Sequence, residues 1–187
     1  RTEIRQVTRT RQFLTLQVVM TVATFTLFAV TINLIPLLLE RGIDYSTAAL
    51  AFGLVGAGQV IGRLGYPSLT RRTTPQHRTL VILGAGALGL WGLATIPGPT
   101  LVLIALAVGT GAARGCHTLL QATAVSDRWG TQNFGAINAL FNAPMTAVTA
   151  LAPVSGPLLA SLVGGYPAMA IVMAVLLTMA AALSART

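Results

Sequence analysis

The chain has 187 residues, of which 54% are hydrophobic and 9% are charged. An average soluble domain carries about 25% charged residues, and a soluble fold of this length has too little interior to bury six long apolar runs. The formal net charge of +8 comes from twelve arginines, without lysine, against four acidic residues. Basic loops of a membrane protein explain this charge, so we predict no nucleic-acid partner.

The apolar runs predict an all-α, polytopic membrane protein with six transmembrane helices. Each run provides close to the roughly 20 apolar residues that cross about 30 Å of hydrocarbon. We predict a juxtamembrane segment at 1–12, a transmembrane domain at 13–184 and a tail at 185–187. The predicted crossings are 13–39, 47–66, 79–96, 101–125, 134–163 and 167–184.

The arginines alternate between the gaps that separate these crossings. They cluster before the first crossing, around the second gap and in the fourth, whereas the first, third and fifth gaps hold only Arg41. Cytoplasmic loops keep Lys and Arg, while translocated loops lose them. The pattern predicts a multi-pass protein of the cytoplasmic membrane with both termini in the cytoplasm. Its basic loops would lie against anionic lipid headgroups.

The first crossing carries polar side chains on one face. Gln17, Thr21, Thr24 and Thr31 lie within an arc of about 80°, with Phe28 among them. Such a face can line a polar cavity, but threonine in a membrane helix often donates only to its own backbone. Thr24 is a candidate substrate-binding residue, and both interpretations of the stripe stay open.

The second and third crossings are rich in glycine, and the basic gap at 65–78 between them is predicted as a loop. Small residues let helix backbones approach closely in a membrane. The third and sixth crossings have few polar residues, so we expect that they can face lipid. The glycines predicted to mediate close packing are Gly58, Gly62, Gly84, Gly86, Gly89 and Gly92.

The fourth crossing contains the residues that bear most on function. Thr110, Arg114, His117 and Gln121 fall within an arc of about 60°. Arg114 lies near the middle of the crossing, where an arginine costs at least about 2.5–3.5 kcal/mol on insertion scales. No Asp or Glu lies inside any predicted crossing, so the counter-charge must come from a ligand or from other sequence. The alternative is an arginine held by carbonyls and water that serves packing alone.

The fifth crossing has a stripe formed by Asn138, Asn142, Met145 and Thr149, and prolines that imply kinks. A buried amide needs hydrogen-bond partners, so the asparagines are candidate pocket residues. We predict no metal and no cofactor, and the single cysteine, Cys116, excludes an intrachain disulfide. The predicted substrate-binding residues are Thr24, Arg114, His117, Gln121, Asn138 and Asn142.

Three motifs together resemble the C-terminal half of a major facilitator superfamily transporter. They are the Gly62-Arg63 to Arg71-Arg72 segment, the Asp127-Arg128 loop that leads to Gly135, and Ser155-Gly156-Pro157. The resemblance covers 13–184 as crossings seven to twelve, although Arg71 fills the acidic position of the loop signature. It implies two inverted three-helix repeats, whose first helices line a cavity, second helices abut the other half and third helices face lipid.

The predicted function is therefore half of a secondary active transporter that moves a small, anionic or polar organic solute by alternating access. Its partner would be the N-terminal six-helix half, and Arg63, Arg71, Arg72 and Asp127 would form a cytoplasmic gate. Because the sequence begins with arginine and not Met, we expect it to be part of a longer chain. The alternatives are a proton-coupled multidrug efflux transporter, a non-transporting scaffold or an intramembrane enzyme. We predict that the protein is not an enzyme, since the His-Glu-x-x-His pattern of metalloproteases is absent from the sequence.

Overall fold

A computed structural model of the chain describes residues 2–186, so the predictions for Arg1 and Thr187 lie outside the described residues. All regular secondary structure within this range is helical. The helices are α1 (Thr2–Thr8), α2 (Arg11–Ile32), α3 (Leu34–Leu39), α4 (Tyr45–Arg72), α5 (Pro75–Thr95), α6 (Thr100–Thr123), α7 (Ser126–Trp129), α8 (Phe134–Val163) and α9 (Tyr166–Ser184).

Six helices within 2–186 are long and apolar enough to cross a membrane: α2, α4, α5, α6, α8 and α9. This confirms the predicted all-α fold with six membrane-spanning helices. The first predicted crossing is divided at Asn33 into α2 and α3. Pro36 explains the break, because it has no N–H to donate to the carbonyl of Ile32 and its ring crowds that carbonyl.

The basic gap at 65–78, predicted as a loop, is mostly helical. Helix α4 continues through Pro67 and ends at Arg72, two residues before the N-cap of α5 at Thr74. The apolar pattern marks where the side chains stop being hydrophobic, whereas a helix can extend beyond that point. Arg71 and Arg72 in its last turn also stabilise this extension, because cations interact favourably with the negative end of the helix dipole. The loop prediction was therefore wrong for residues up to 72.

The closest helix contact joins α4 and α6 through four glycines. Gly58 and Gly62 of α4 lie against the backbone of α6, and Gly111 and Gly115 of α6 lie against the backbone of α4. A Cβ added at any of the four would overlap that neighbouring backbone. The predicted packing of Gly58 and Gly62 is confirmed. In the third crossing Gly86, Gly89 and Gly92 are packed as predicted.

Gly84 was predicted in the same way, and this prediction was wrong. A Cβ at this position would meet nothing within 4 Å, because Gly84 lies on a face of α5 that no neighbouring helix covers. Sequence composition identifies a glycine-rich helix, but which of its faces meets a partner depends on the tertiary arrangement.

The helix pairing repeats between two three-helix units, α2–α4–α5 and α6–α8–α9. Helix α2 packs against α8 and α9 of the second unit, and α6 packs against α4 and α5 of the first. The third helices of the units, α5 and α9, pack against each other. Exchanging the two units therefore turns the α2–α8 contact into α6–α4 and the α2–α9 contact into α6–α5, and it leaves the α5–α9 contact unchanged. This arrangement matches the inverted repeat predicted for the fold.

The third and sixth crossings are better covered than the sequence suggests. In the most apolar windows of α5 and α9, 56% and 44% of residues are buried, against 28% in α4 and 17% in α8. Their few polar residues meet each other, since Trp91 Nε1 donates to Thr178 Oγ1 at 3.1 Å. A lack of polar side chains does not prevent a helix from burying an apolar face. The largest open apolar surfaces therefore belong to α4 and α8.

At the end of the molecule that holds the α3–α4 connection, two adjacent side chains cap two other helices. The Arg41 guanidinium donates to Ala94 O at 2.6 Å and to Ile96 O, at the C-terminal end of α5. Glu40 Oε2 accepts from the N–H of Tyr166 at 2.8 Å, at the start of α9. Each charge faces the helix end whose dipole it complements. Partial burial lowers the pKa of Arg41 below its ordinary value.

Candidate functional site

The candidate site follows α6, whose polar side chains contact α2 on one side and α8 on the other. The site is built where the first helix of one unit meets the first helix of the other. His117 is buried, whereas Arg114 and Gln121 are partly buried. The stripe predicted from helical spacing thus lies at helix contacts inside the bundle.

Arg114 reaches from α6 to the last turn of α2. One terminal nitrogen of its guanidinium donates to Thr31 Oγ1 at 2.7 Å, and its Cζ lies 3.7 Å from the ring centroid of Phe28. Its Nε is buried and has no hydrogen-bond partner. Among the side chains of residues 4–186 the ion pair joins Arg78 and Asp127, so no described carboxylate neutralises Arg114. The described contacts of the guanidinium are therefore a hydroxyl and an aromatic face.

His117 contacts Thr24. It lies three residues after Arg114 on α6, about one helical turn nearer the end of the bundle that holds Arg78 and Arg128. Thr24 Oγ1 lies 3.0 Å from His117 Nε2 and donates its single proton to Met20 O at 2.8 Å. Because the hydroxyl has one proton, it can make both contacts as hydrogen bonds only when it accepts from His117 Nε2–H. His117 Nδ1 is buried and has no hydrogen-bond partner among the described residues. The structure brings these two predicted site residues together.

Gln121 continues the polar chain from α6 to α8. Its Nε2 donates to Asn142 Oδ1 at 2.7 Å, and Asn142 Nδ2 donates to Asn138 O and Oδ1, both at 2.9 Å. Three of the predicted site residues thus form one hydrogen-bonded network. This arrangement satisfies most of the buried amides, as their desolvation cost requires.

Gln17 makes a contact that the sequence analysis missed. Its Nε2 donates to Leu140 O at 2.8 Å and to Phe141 O at 3.3 Å on α8. Pro144 lies four residues after Leu140 and has no N–H, so the carbonyl of Leu140 lacks its helical partner. The glutamine amide replaces that missing donor. A proline four positions after an apolar residue was the signal that could have indicated an external donor.

The sequence left open whether the threonines of the first stripe line a cavity or bond only to their own helix backbone, and the structure shows both. Thr21, Thr24 and Thr31 each donate to the carbonyl four residues earlier, at 2.7, 2.8 and 2.6 Å. Thr24 and Thr31 also contact α6, whereas Thr21 lines a cavity of about 180 Å³ with Gln17 and Pro144. Arg114 is not among the residues of that cavity. The predicted residues are therefore packed together, and open space lies beside them between α2 and α8.

Thr110, the fourth member of the α6 stripe, is buried and points away from this network. Its Oγ1 has no hydrogen-bond partner and lies where a Cβ at Gly89 of α5 would be. The stripe therefore serves two contacts: Thr110 meets α5, and the remaining members meet α2 and α8.

At the basic end, Asp127 pairs with Arg78 and not with the arginines predicted as its gate partners. Arg78 is 2% exposed and lies 5.6 Å from the ring centroid of Tyr66. Arg63, Arg71 and Arg72 are exposed. The predicted gate did not include Arg78, because the sequence places it in the basic gap, one residue before the predicted third crossing, whereas the structure places it inside α5.

Arg128 extends this cluster onto the first turn of α5. It donates to Pro75 O at 3.2 Å and to Thr79 Oγ1 at 3.0 Å. Burial lowers the pKa of Arg128, and the neighbouring Asp127 carboxylate partly offsets that effect. Tyr66 O–H and Thr123 Oγ1, 2.8 Å apart, connect α4 to α6 beside it. The cluster thus joins α4, α5, α6 and α7.

The model of the Major Facilitator Superfamily matches residues 1–143. The chain belongs to this family, whose members are membrane transporters. Comparison with curated proteins finds no match for the chain. The sequence resemblance to the superfamily is confirmed over the matched range, which includes Thr24, Arg114, His117, Gln121, Asn138 and Asn142. The Ser155-Gly156-Pro157 motif lies beyond it.

Proposed function

We propose that the chain is the C-terminal half of a secondary transporter that moves a small, anionic or polar organic solute across the cytoplasmic membrane by alternating access. The observation that carries this proposal is the environment of Arg114. Its guanidinium lies inside a spanning helix, bonds to the Thr31 hydroxyl and has no described carboxylate partner. An anionic solute would supply the missing charge, and a planar guanidinium suits carboxylate or phosphate oxygens.

The neighbouring polar residues would orient such a solute. Arg114 would bind its anionic group, while His117 and Gln121 would add hydrogen bonds after exchanging their present partners. Thr24, Asn138 and Asn142 would form the wall of the pocket. Their pairwise contacts support this proposal, because they bring the candidate site residues of α2, α6 and α8 next to one another.

The proposed partner is a six-helix N-terminal half that covers α4 and α8. Support comes from their open apolar surfaces, where Leu64 and Leu162 are each 75% exposed. The proposed cytoplasmic gate retains Arg63, Arg71 and Arg72 as exposed charges available to that half. Asp127 would act within it through Arg78, so the gate would also transmit movement between α5 and α7.

Proton-coupled efflux of the same superfamily is the second candidate, and His117 favours it. A buried imidazole nitrogen without a partner can accept a proton. In that case Arg114 would serve coupling between conformations instead of binding. His117→Gln should then abolish the dependence of flux on a pH gradient, whereas in the anion transporter it should mainly weaken solute binding.

Transport measurements on the full-length transporter in sealed proteoliposomes would test the proposal. The probes are labelled acetate, labelled succinate and labelled inorganic phosphate. We expect uptake of at least one probe, loss of that uptake in Arg114→Gln, and partial loss in Arg114→Lys because lysine lacks the planar fork. Arg9→Gln is the matched control, since Arg9 is exposed and distant from the stripe in sequence. Wild-type uptake by Arg114→Gln at equal protein levels would contradict the anion site.

A further inference from the structure

A groove of about 480 Å³ lies between α2 and α9. It shares Val18 and Val22 with the cavity beside Gln17 and Thr21, but none of the stripe residues lines it. Its walls include Val18, Val19 and Val22 of α2 and Leu176, Met179 and Leu183 of α9. Arg186 is the charged side chain among the described residues that line it. The groove is thus a hydrocarbon channel with a cation at one end.

The groove opens on the outer surface of two membrane-spanning helices. Val18 is 55% exposed and Met179 is 64% exposed, so its walls meet whatever surrounds the bundle. Apart from Arg186 they present no hydrogen-bonding side chain. A polar solute would lose its hydration there without gaining partners, and an apolar chain would lose nothing. The groove therefore fits a molecule with a long hydrocarbon part.

Arg186 lies two residues after the end of α9 at Ser184 and is exposed. Its backbone N–H donates to Leu183 O at 3.1 Å, and among the side chains of residues 4–186 no salt bridge joins its guanidinium to a carboxylate. Arg11 begins α2 seven residues before Val18, about 10 Å away along the helix. Both helices thus have a basic residue at the end where the groove terminates, which is the charge that an anionic headgroup requires.

We infer that this groove binds an acidic phospholipid, with an acyl chain along α2 and α9 and the phosphate on Arg186. The inference combines the apolar walls, their opening to the membrane and the unneutralised cation at the end. It does not involve Arg114 or the proposed solute, so it stands or falls separately from the proposed function.

Native mass spectrometry of the full-length transporter, released from nanodiscs of mixed phosphatidylglycerol and phosphatidylcholine, would test the inference. We expect preferential retention of phosphatidylglycerol by the wild type. Arg186→Gln should reduce that preference about fivefold, because one basic residue near an anionic membrane contributes about 1 kcal/mol. Ala182→Trp, which fills the groove from an exposed position, should reduce retention of both lipids.

Matched controls are Arg72→Gln, an exposed arginine at another helix end, and Ala85→Trp, an exposed alanine on α5, outside the proposed interface with the N-terminal half. Both should retain the wild-type preference. Equal retention of the two lipids by the wild type, or an unchanged preference in Arg186→Gln, would overturn the inference. Displacement of the lipid by inorganic phosphate would assign the site to a free anion instead. Loss of a dimer in Ala182→Trp with unchanged lipid retention would assign the groove to a second copy of the chain.

Discussion

Arg114 is held by one directional hydrogen bond and one aromatic contact, and each comes from α2. Thr31 donates its own proton to Leu27 O at 2.6 Å and uses its oxygen to accept from Arg114. The guanidinium thus depends on an acceptor that the helix backbone has already oriented. Removing that acceptor leaves a charged donor without its partner, which costs more than an ordinary neutral hydrogen bond.

Thr31→Val keeps the side-chain size and removes the acceptor. We expect the free energy of unfolding in detergent to fall by about 1–3 kcal/mol, as measured by denaturant titration. Thr21→Val is the matched control, because the Thr21 hydroxyl donates to Gln17 O on its own helix. In an Arg114→Leu background the effect of Thr31→Val should fall to that of the control. An equal effect in both backgrounds would show that the bond contributes nothing.

Gln17 and Pro144 give a second test at the residue scale. Gln17→Leu should destabilise the protein by about 1 kcal/mol, because the Leu140 carbonyl loses the donor that replaces the missing proline N–H. Pro144→Ala restores a backbone N–H at that position, so the same substitution should cost little in that background. Thermal unfolding of the four variants measures the difference. A penalty that persists with Ala at position 144 would contradict this account of the bond.

At the residue scale the sequence indicated which side chains share a face of α6, but not which residues they contact. The spacing of Arg114, His117 and Gln121 depends only on helix geometry, and all three contact α2 or α8 in the structure. Their partners are Thr31, Thr24 and Asn142, of which the first two are 83 and 93 positions away. Which side chains meet depends on the register between α2 and α6, and no local pattern encodes it.

At the scale of the helix, glycines determine how closely α4 and α6 approach. Gly58, Gly62, Gly111 and Gly115 each place the opposite backbone where a Cβ would lie. The two helices can approach this closely because neither has a side chain at the crossing. The sequence analysis predicted close packing for the glycine pair on α4. It did not predict it for the pair on α6, because the polar stripe was the feature considered on that helix.

Gly62→Ala should lower the thermal midpoint, since the added methyl group must move the backbone near Ala112. Gly84→Ala is the matched control, because nothing lies within 4 Å of its added Cβ. It should leave stability unchanged or raise it by up to about 1 kcal/mol through helix propensity. Equal effects of the two substitutions would contradict close packing at Gly62.

Helix ends were less predictable than helix existence. The apolar runs identified all six spanning helices, because hydrophobicity over about 20 residues is a local property. The break at Asn33 and the extension of α4 to Arg72 reflect a proline and a solvated last turn. Capping by Glu40 and Arg41 brings together α3, α5 and α9, so it could not be derived from any one segment.

For the whole molecule, family membership and six spanning helices establish a multi-pass membrane transporter, and its orientation stays a prediction. The arginine pattern places the α4–α5 and α6–α8 connections on the cytoplasmic side. With Cys116 replaced by alanine, cysteines at Gln76 and Thr131 should react with an impermeant maleimide only in inside-out vesicles. A cysteine at Pro97 should react only in right-side-out vesicles. Labelling of Gln76 and Pro97 positions from one side would contradict the orientation.

The extent to which α5 and α9 are buried could not be predicted from the sequence either. Their apolar faces meet each other and α2 or α6, which requires knowledge of the repeat symmetry. The polar stripes correctly indicated that the first, fourth and fifth crossings face one another. That inward arrangement brings the polar side chains of the candidate site together.

The most direct test of the central claim is equilibrium binding of a transported labelled carboxylate to the full-length transporter, normalised to folded protein. We expect Arg114→Gln to abolish measurable binding while membrane insertion stays intact, because removal of a charge from a spanning helix makes insertion easier. Arg114→Lys should bind more weakly than the wild type. Wild-type affinity in Arg114→Gln would contradict the account, since Arg114 would then serve packing alone.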